Sequence, residues 1–147
     1  RLIHIDNGLI VAPKKLPLEA RLVVIFAGVE AVIAEFKPDA VAVESVFTHK
    51  NTQSALALGH ARGVILLAAA RAGLAVNSYA PALVKKTVAG TGRASKYQIQ
   101  MMVKTLLGLP EIPAEDAADA LAMSICHCHH FTMGELIRDR TVKRHRR

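Results

Sequence analysis

The chain switches between short apolar runs, which read as strands, and longer stripes of apolar residues at helical spacing. Residues 2–11, Leu-Ile-His-Ile-Asp-Asn-Gly-Leu-Ile-Val, read as a strand with Asn7-Gly8 as a turn or bulge within it. After a connection through Pro13 and Pro17, apolar positions Leu22, Ile25, Phe26, Val29 and Ile33 share one stripe and predict a helix over 18–36. Lys37-Pro-Asp39 stops it. The run 40–44 reads as a buried strand ending on Glu44, and 46–53 as a loop. A second helix is expected over 54–72, closed by Gly73. A strand over 74–79 and a short helix over 81–88 follow. The glycine-rich basic loop Gly90-Thr-Gly-Arg-Ala-Ser-Lys96 then leads into a helix over 96–107 with Ser95 as its N-cap. The last helix is expected over 114–129, with a tail after it. Alternating strands and helices argue for an α/β fold with part of the sheet parallel.

Size and composition sharpen this outline. At 147 residues the length suggests one domain, and no internal repeat or inter-domain linker interrupts it. Apolar residues make up 52% of the chain and charged ones 21%, enough for a core and against a disordered chain. The longest unbroken apolar run, residues 64–70, is too short to span a bilayer, and no signal-peptide pattern opens the sequence. A cytoplasmic protein with no membrane partner is therefore expected. The net charge of +7 hints at a polyanionic partner. Five of those seven charges belong to residues 138–147, where six basic side chains face the single acid Asp139. The expected organisation is thus a body over 1–133 and a basic tail over 134–147. Such a tail adds salt-sensitive, non-specific affinity for nucleic acid.

The candidate chemistry begins with Asp116 and Asp119. Three residues apart at a helix start, their Cβ atoms lie on one face about 5–6 Å apart. Two carboxylates that close resist full ionisation unless a cation sits between them, and clustered oxygen ligands suit magnesium. The plainer reading is that acids in a first turn complement the helix dipole. Glu44 shifts the balance, because a carboxylate at the end of an apolar strand calls for a partner. A strand-end acid with a helix-face acid pair suits metal-assisted phosphodiester cleavage. Free amides, Arg93 and Lys96 make the 90–96 loop a phosphate-binding candidate, although the P-loop spacing is absent. Cys126 and Cys128 have the wrong spacing for zinc and read as two reduced structural thiols. Ala55, Gly59 and Gly63 form a ridge of small residues, suited to helix packing within the domain or to a twofold dimer contact.

Taken together, these stretches resemble the RuvC-type Holliday junction resolvases, bacterial endonucleases with an RNase H-like fold. The resemblance rests on Ala42-Val-Glu-Ser-Val-Phe47, Lys50-Asn51, Ser54-Ala-Leu-Ala-Leu-Gly-His-Ala-Arg-Gly63 and Val84-Lys-Lys-Thr-Val-Ala-Gly-Thr-Gly92. Met102-Val-Lys-Thr-Leu-Leu107, Asp116-Ala-Ala-Asp-Ala-Leu-Ala122 and Cys128-His129 extend it, so that it covers about 16–130. It implies an RNase H-like α/β fold with a mixed central sheet flanked by helices. It implies that Glu44, Asp116 and Asp119 are metal ligands and catalytic, holding two Mg2+ ions, with Mn2+ as the alternative. Lys85 and Lys96 match lysines near the scissile phosphate or the DNA backbone, and Phe47 matches an aromatic that stacks on bases at the junction centre. The implied partners are four-way junction DNA, a second copy of the chain in a homodimer, and a branch-migration helicase complex.

One departure bears on activity. The family opens with a strand bearing a glycine-flanked aspartate, the fourth acid of its site. Ile5-Asp-Asn-Gly8 imitates that motif, but its place just before the first long helix corresponds to the family's third strand. The first two strands are therefore expected to be missing, and Asp6 is not expected to be the catalytic acid. The rival to a junction-resolving endonuclease is a non-catalytic junction-binding module of the same fold. An RNase H-like nuclease acting on RNA is a third reading.

Overall fold

The computed structural model describes residues 1–45 and 52–145, with side chains up to residue 131. Among the described residues, five helices and two strands occur in the order α1 (Leu18–Phe36), β1 (Ala40–Glu44), α2 (Thr52–Arg71), β2 (Ala75–Tyr79), α3 (Pro81–Ala89), α4 (Lys96–Leu107) and α5 (Glu115–His145). They fall into two compact units, one over 8–80 and one comprising 1–7 with 81–147.

In the first of these units β1 and β2 pair in parallel, with Ala40 opposite Ala75 and Glu44 opposite Tyr79. The α/β class is borne out; the sheet among the described residues is this parallel pair. Parallel neighbours require a crossover, and α2 supplies it. The predicted stripe of α1, Leu22 to Ile33, is its half-buried face, while Val23 and Val32 are exposed. Lys37 closes α1 in the left-handed conformation (φ 45°), donating its amide to the Ile33 carbonyl at 2.9 Å. Pro38 follows and disfavours a further helical residue before it. Gly73 (φ +70°) ends α2 as expected, with the Leu74 amide reaching back to the Ala69 carbonyl at 3.0 Å. Arg71 bonds these helices together, pairing with Glu30 at 3.7 Å and lying over the Phe26 ring.

Two expectations about the first eighty residues change. The strand expected over 2–11 does not form: among the described residues no backbone ladder bond involves this segment, and a strand needs one. Instead Ile10 packs over α1 at Gly28, where an added Cβ would stand 2.7 Å from its side chain. Among the described residues, the small-residue ridge of α2 takes no close packing at its glycines: a Cβ at Gly59 or Gly63 would meet nothing within 4 Å. Among the described helices α2 alone has the length and composition to cross a membrane. Its central Arg62 instead hydrogen-bonds to the sheet, as described below.

In the second unit α3, α4 and α5 pack on one another. Pro81 opens α3 at the position where its missing amide costs nothing. Ser95 caps α4 as expected, within a full capping box: its hydroxyl accepts from the Gln98 amide at 3.2 Å, and its own amide donates to the Gln98 side chain at 2.8 Å. Gly108 (φ +65°) closes α4. The core is Val84, Val88, Ile99 and Val103 against the α5 stripe Ala117, Ala118, Leu121, Ala122, Ile125 and Cys126. Cys126 is fully buried and lies 3.6 Å from the Thr87 hydroxyl, whereas Cys128 is exposed. The two cysteines thus point in different directions, as their spacing on a helix requires. α5 runs sixteen residues beyond the expected end at His129. No proline interrupts that stretch, and its Glu, Leu, Arg and Lys residues favour continued helix across the single unfavourable Gly134.

Candidate metal and nucleic-acid site

Asp116 and Asp119 stand where their spacing puts them, on the exposed border of the α5 stripe whose Ala117 and Ala118 are buried. The Gln100 side-chain amide donates to the Pro113 carbonyl at 2.9 Å and so fixes the α4–α5 connection just before the pair. Asp119 is partly shielded from solvent by its neighbours. Desolvation by the surrounding protein pushes its carboxyl above the usual carboxylate range, Lys96 opposes this, Glu115 and Asp116 raise it further, and Lys85 lowers it. Lys85, Lys96 and both aspartates therefore share one electrostatic neighbourhood. Lys85 is half-buried on α3, and Lys96 is exposed at the first residue of α4.

The Lys96 ammonium hydrogen-bonds to Glu115, the first residue of α5. That bond, with the attraction of the same carboxylate, holds the ammonium above its ordinary value. Sequence reasoning passed over Glu115 as one more first-turn acid. Its position four residues before Asp119 was the available signal, since i and i+4 share a face.

The glycine-rich loop is less open than expected. The amides of Gly90, Arg93, Ala94 and Ser95 are engaged by Lys86, Thr91 and Gln98 within the chain. Gly92 lies close on α3, and a Cβ there would come 3.3 Å from the Ala82 carbonyl oxygen. What this corner presents to an anion is side-chain charge more than a cradle of free amides.

Glu44 belongs to the other unit. It is the exposed last residue of β1, directly after buried Val43. Arg62 of α2 fastens this strand end: its Nε donates to the Glu44 carbonyl at 3.1 Å, and its Nη2 to the Ser78 hydroxyl of β2 at 3.0 Å. The Ser45 amide adds a bond to the Tyr79 carbonyl at 2.9 Å. A lone arginine inside an apolar helix was the sequence signal for this clamp. Arg62→Met keeps the apolar stem and removes both bonds; it is expected to lower stability by about 1–3 kcal/mol, read by thermal denaturation. Asp6, the imitation of the family's first aspartate, is exposed, and its carboxylate accepts from the next amide at 2.8 Å. Phe47 lies outside the described residues.

Within either unit, among the described residues, no three His, Cys, Asp or Glu side chains are gathered at metal-ligand spacing. The Asp116–Asp119 pair nevertheless fits a hard divalent cation as part of a ligand set. Its donors are carboxylate oxygens, and both the desolvation of Asp119 and the repulsion from its neighbours are relieved by positive charge.

Known proteins resemble this chain over most of its length. The family model for crossover junction endodeoxyribonuclease RuvC matches residues 1–127. The protein of that name from Geobacter sp. (strain M21) is 51% identical over 138 residues, covering 94% of this chain and 84% of its own length. Its counterpart from Syntrophotalea carbinolica is 52% identical over 137 residues, covering 93% and 85% respectively. Among solved structures, Thermus thermophilus RuvC in complex with Holliday junction substrate superposes with a TM-score of 0.83 at 37% identity, over 88% of this chain and 79% of that one. With an RNase H-like fold of the same kind and half its residues shared with these relatives, the chain belongs to the RuvC family of crossover junction endodeoxyribonucleases.

Proposed function

We propose that this chain is a metal-dependent endonuclease that resolves four-way DNA junctions by paired phosphodiester hydrolysis in recombination and repair. The observation that carries the reading is the exposed Asp116–Asp119 pair with Lys85 and Lys96 in its electrostatic field. The Thermus relative bound to a Holliday junction substrate supports junction DNA as the ligand. Glu44, Asp116 and Asp119 would hold the cation, Mg2+ by preference, with two ions per site and Mn2+ as a substitute. A divalent cation in such a site supplies Lewis acidity and lowers the pKa of a bound water. The chain's own part is electrostatic and positional. Lys85 and Lys96 bind the phosphodiester and offset charge gathering on its oxygens. Phe47 stacks on bases at the junction centre.

The open small-residue ridge of α2, flanked by exposed Leu56 and Leu58, supports a homodimer. Two sites related by a twofold axis match a junction of the same symmetry, and paired nicks follow. A branch-migration helicase complex as further partner, and a cytoplasmic location, are consistent with this role.

A gel assay of a four-way junction, with Mg2+ and with chelator, tests the reading. Symmetric nicks that need Mg2+ or Mn2+ are expected. Binding without nicking in either metal would instead establish the non-catalytic module, and preferential cutting of an RNA–DNA hybrid the RNA-directed nuclease.

A further inference from the structure

Lys96 carries three donors and no acceptor, so its natural ligand is an anionic oxygen. In this chain that oxygen comes from Glu115. Asp116 and Asp119 act on the same ammonium only through space. The pair is open to solvent, with the lysine side chain 66% and the glutamate side chain 48% exposed. An ion pair so exposed is weak and easily exchanged for another anion. Glu115 lies outside the α5 core stripe and is exposed, so packing does not hold it to this lysine.

We propose that Glu115 is a positioning residue that occupies the Lys96 ammonium as an internal placeholder for a DNA phosphate. Glu115 anchors the lysine beside the first turn of α5, where Asp116 and Asp119 lie, and gives it up when a phosphodiester arrives. This inference rests on the nuclease reading above. It adds a device of this chain's own: the resting site carries a built-in competitor, so junction affinity is set below what Lys96 alone would give. In return, the flexible lysine is held at the acid pair before substrate binds.

A double-mutant cycle tests it, with four-way junction binding measured in chelator, where no cutting occurs. Glu115→Gln keeps the side chain's size and removes its charge; it is expected to tighten the dissociation constant about two- to fivefold, the range set by a surface ion pair. Lys96→Met is expected to weaken binding. In the Lys96→Met background, Glu115→Gln is expected to have no more than the small through-space effect of Glu111→Gln. Glu111→Gln alters net charge equally in the same α4–α5 connection and is expected to have the smaller effect. With Mg2+ present, Glu115→Gln lowers KM while kcat stays within about twofold, and Glu115→Asp restores the wild-type KM in part.

Equal tightening by Glu115→Gln with and without Lys96, equal tightening by Glu111→Gln, or no tightening at all would overturn the placeholder. A wild-type chain that binds and cuts the junction alongside any of these results leaves the nuclease reading standing. A wild-type chain that fails to bind the junction overturns both.

Discussion

Asp116→Asn and Glu44→Gln are each expected to reduce junction cleavage by at least about 10²–10³-fold, the scale on which loss of a single electrostatic stabiliser acts in an active site. Both substitutions preserve shape and remove one charge. Asp116 lies on the exposed first turn of α5, outside the core stripe, so its amide variant has no packing to disturb. The carboxylate matters because Asp119 is already held above the usual range by desolvation and by its acidic neighbours. A ligand set that has lost one of its charges attracts a cation less and leaves the rest poorly organised for it. Junction binding should stay within about twofold or tighten slightly, because binding to the phosphate backbone depends on cationic side chains. Single-turnover cleavage and gel-shift assays on the same preparations separate the two effects. A Glu44→Gln protein that cuts normally beside an inactive Asp116→Asn protein would remove the strand-end acid from the proposal. Normal cutting by both would end the metal assignment.

The second large effect is on stability. Ile99 is 3% exposed on α4, within the core that α4 shares with α5. Ile99→Ala is expected to cost about 2–5 kcal/mol, through lost burial and the cavity left behind. Domains of this kind hold only about 5–15 kcal/mol in all, so this one truncation removes a large share. Function should follow, because Lys96 sits one turn before Ile99 on α4 and the acid pair lies on α5. A urea midpoint within experimental error of wild type would show that this core tolerates collapse around the site.

What could be read from the chain alone was what short-range chemistry decides. The stripe of α1, the Lys37–Pro38 stop, Gly73 after α2 and the Ser95 cap are each written in a few adjacent residues, and each appears in the structure. The spacing of Asp116 and Asp119 is of the same kind. Residues 2–11 were misread because alternation encodes a willingness to pair and says nothing about a neighbour's presence. The end of α5 was not legible because Gly134 and the basic run after it read as a stop, whereas the helix continues through that single glycine to His145 with no proline in the way. Arg62 and Glu115 escaped notice as individuals because their partners lie 18 and 19 positions away along the chain. Only the folded chain shows which of many possible acceptors each cationic side chain meets.

The inverse exposure of Cys126 and Cys128, two residues apart on one helix, gives the protein an internal gauge. An alkylating reagent meets Cys128 at the surface and reaches Cys126 only when α5 lifts from α3. The ratio of the two labelling rates therefore measures how often the helix that bears the acid pair breathes away from its support.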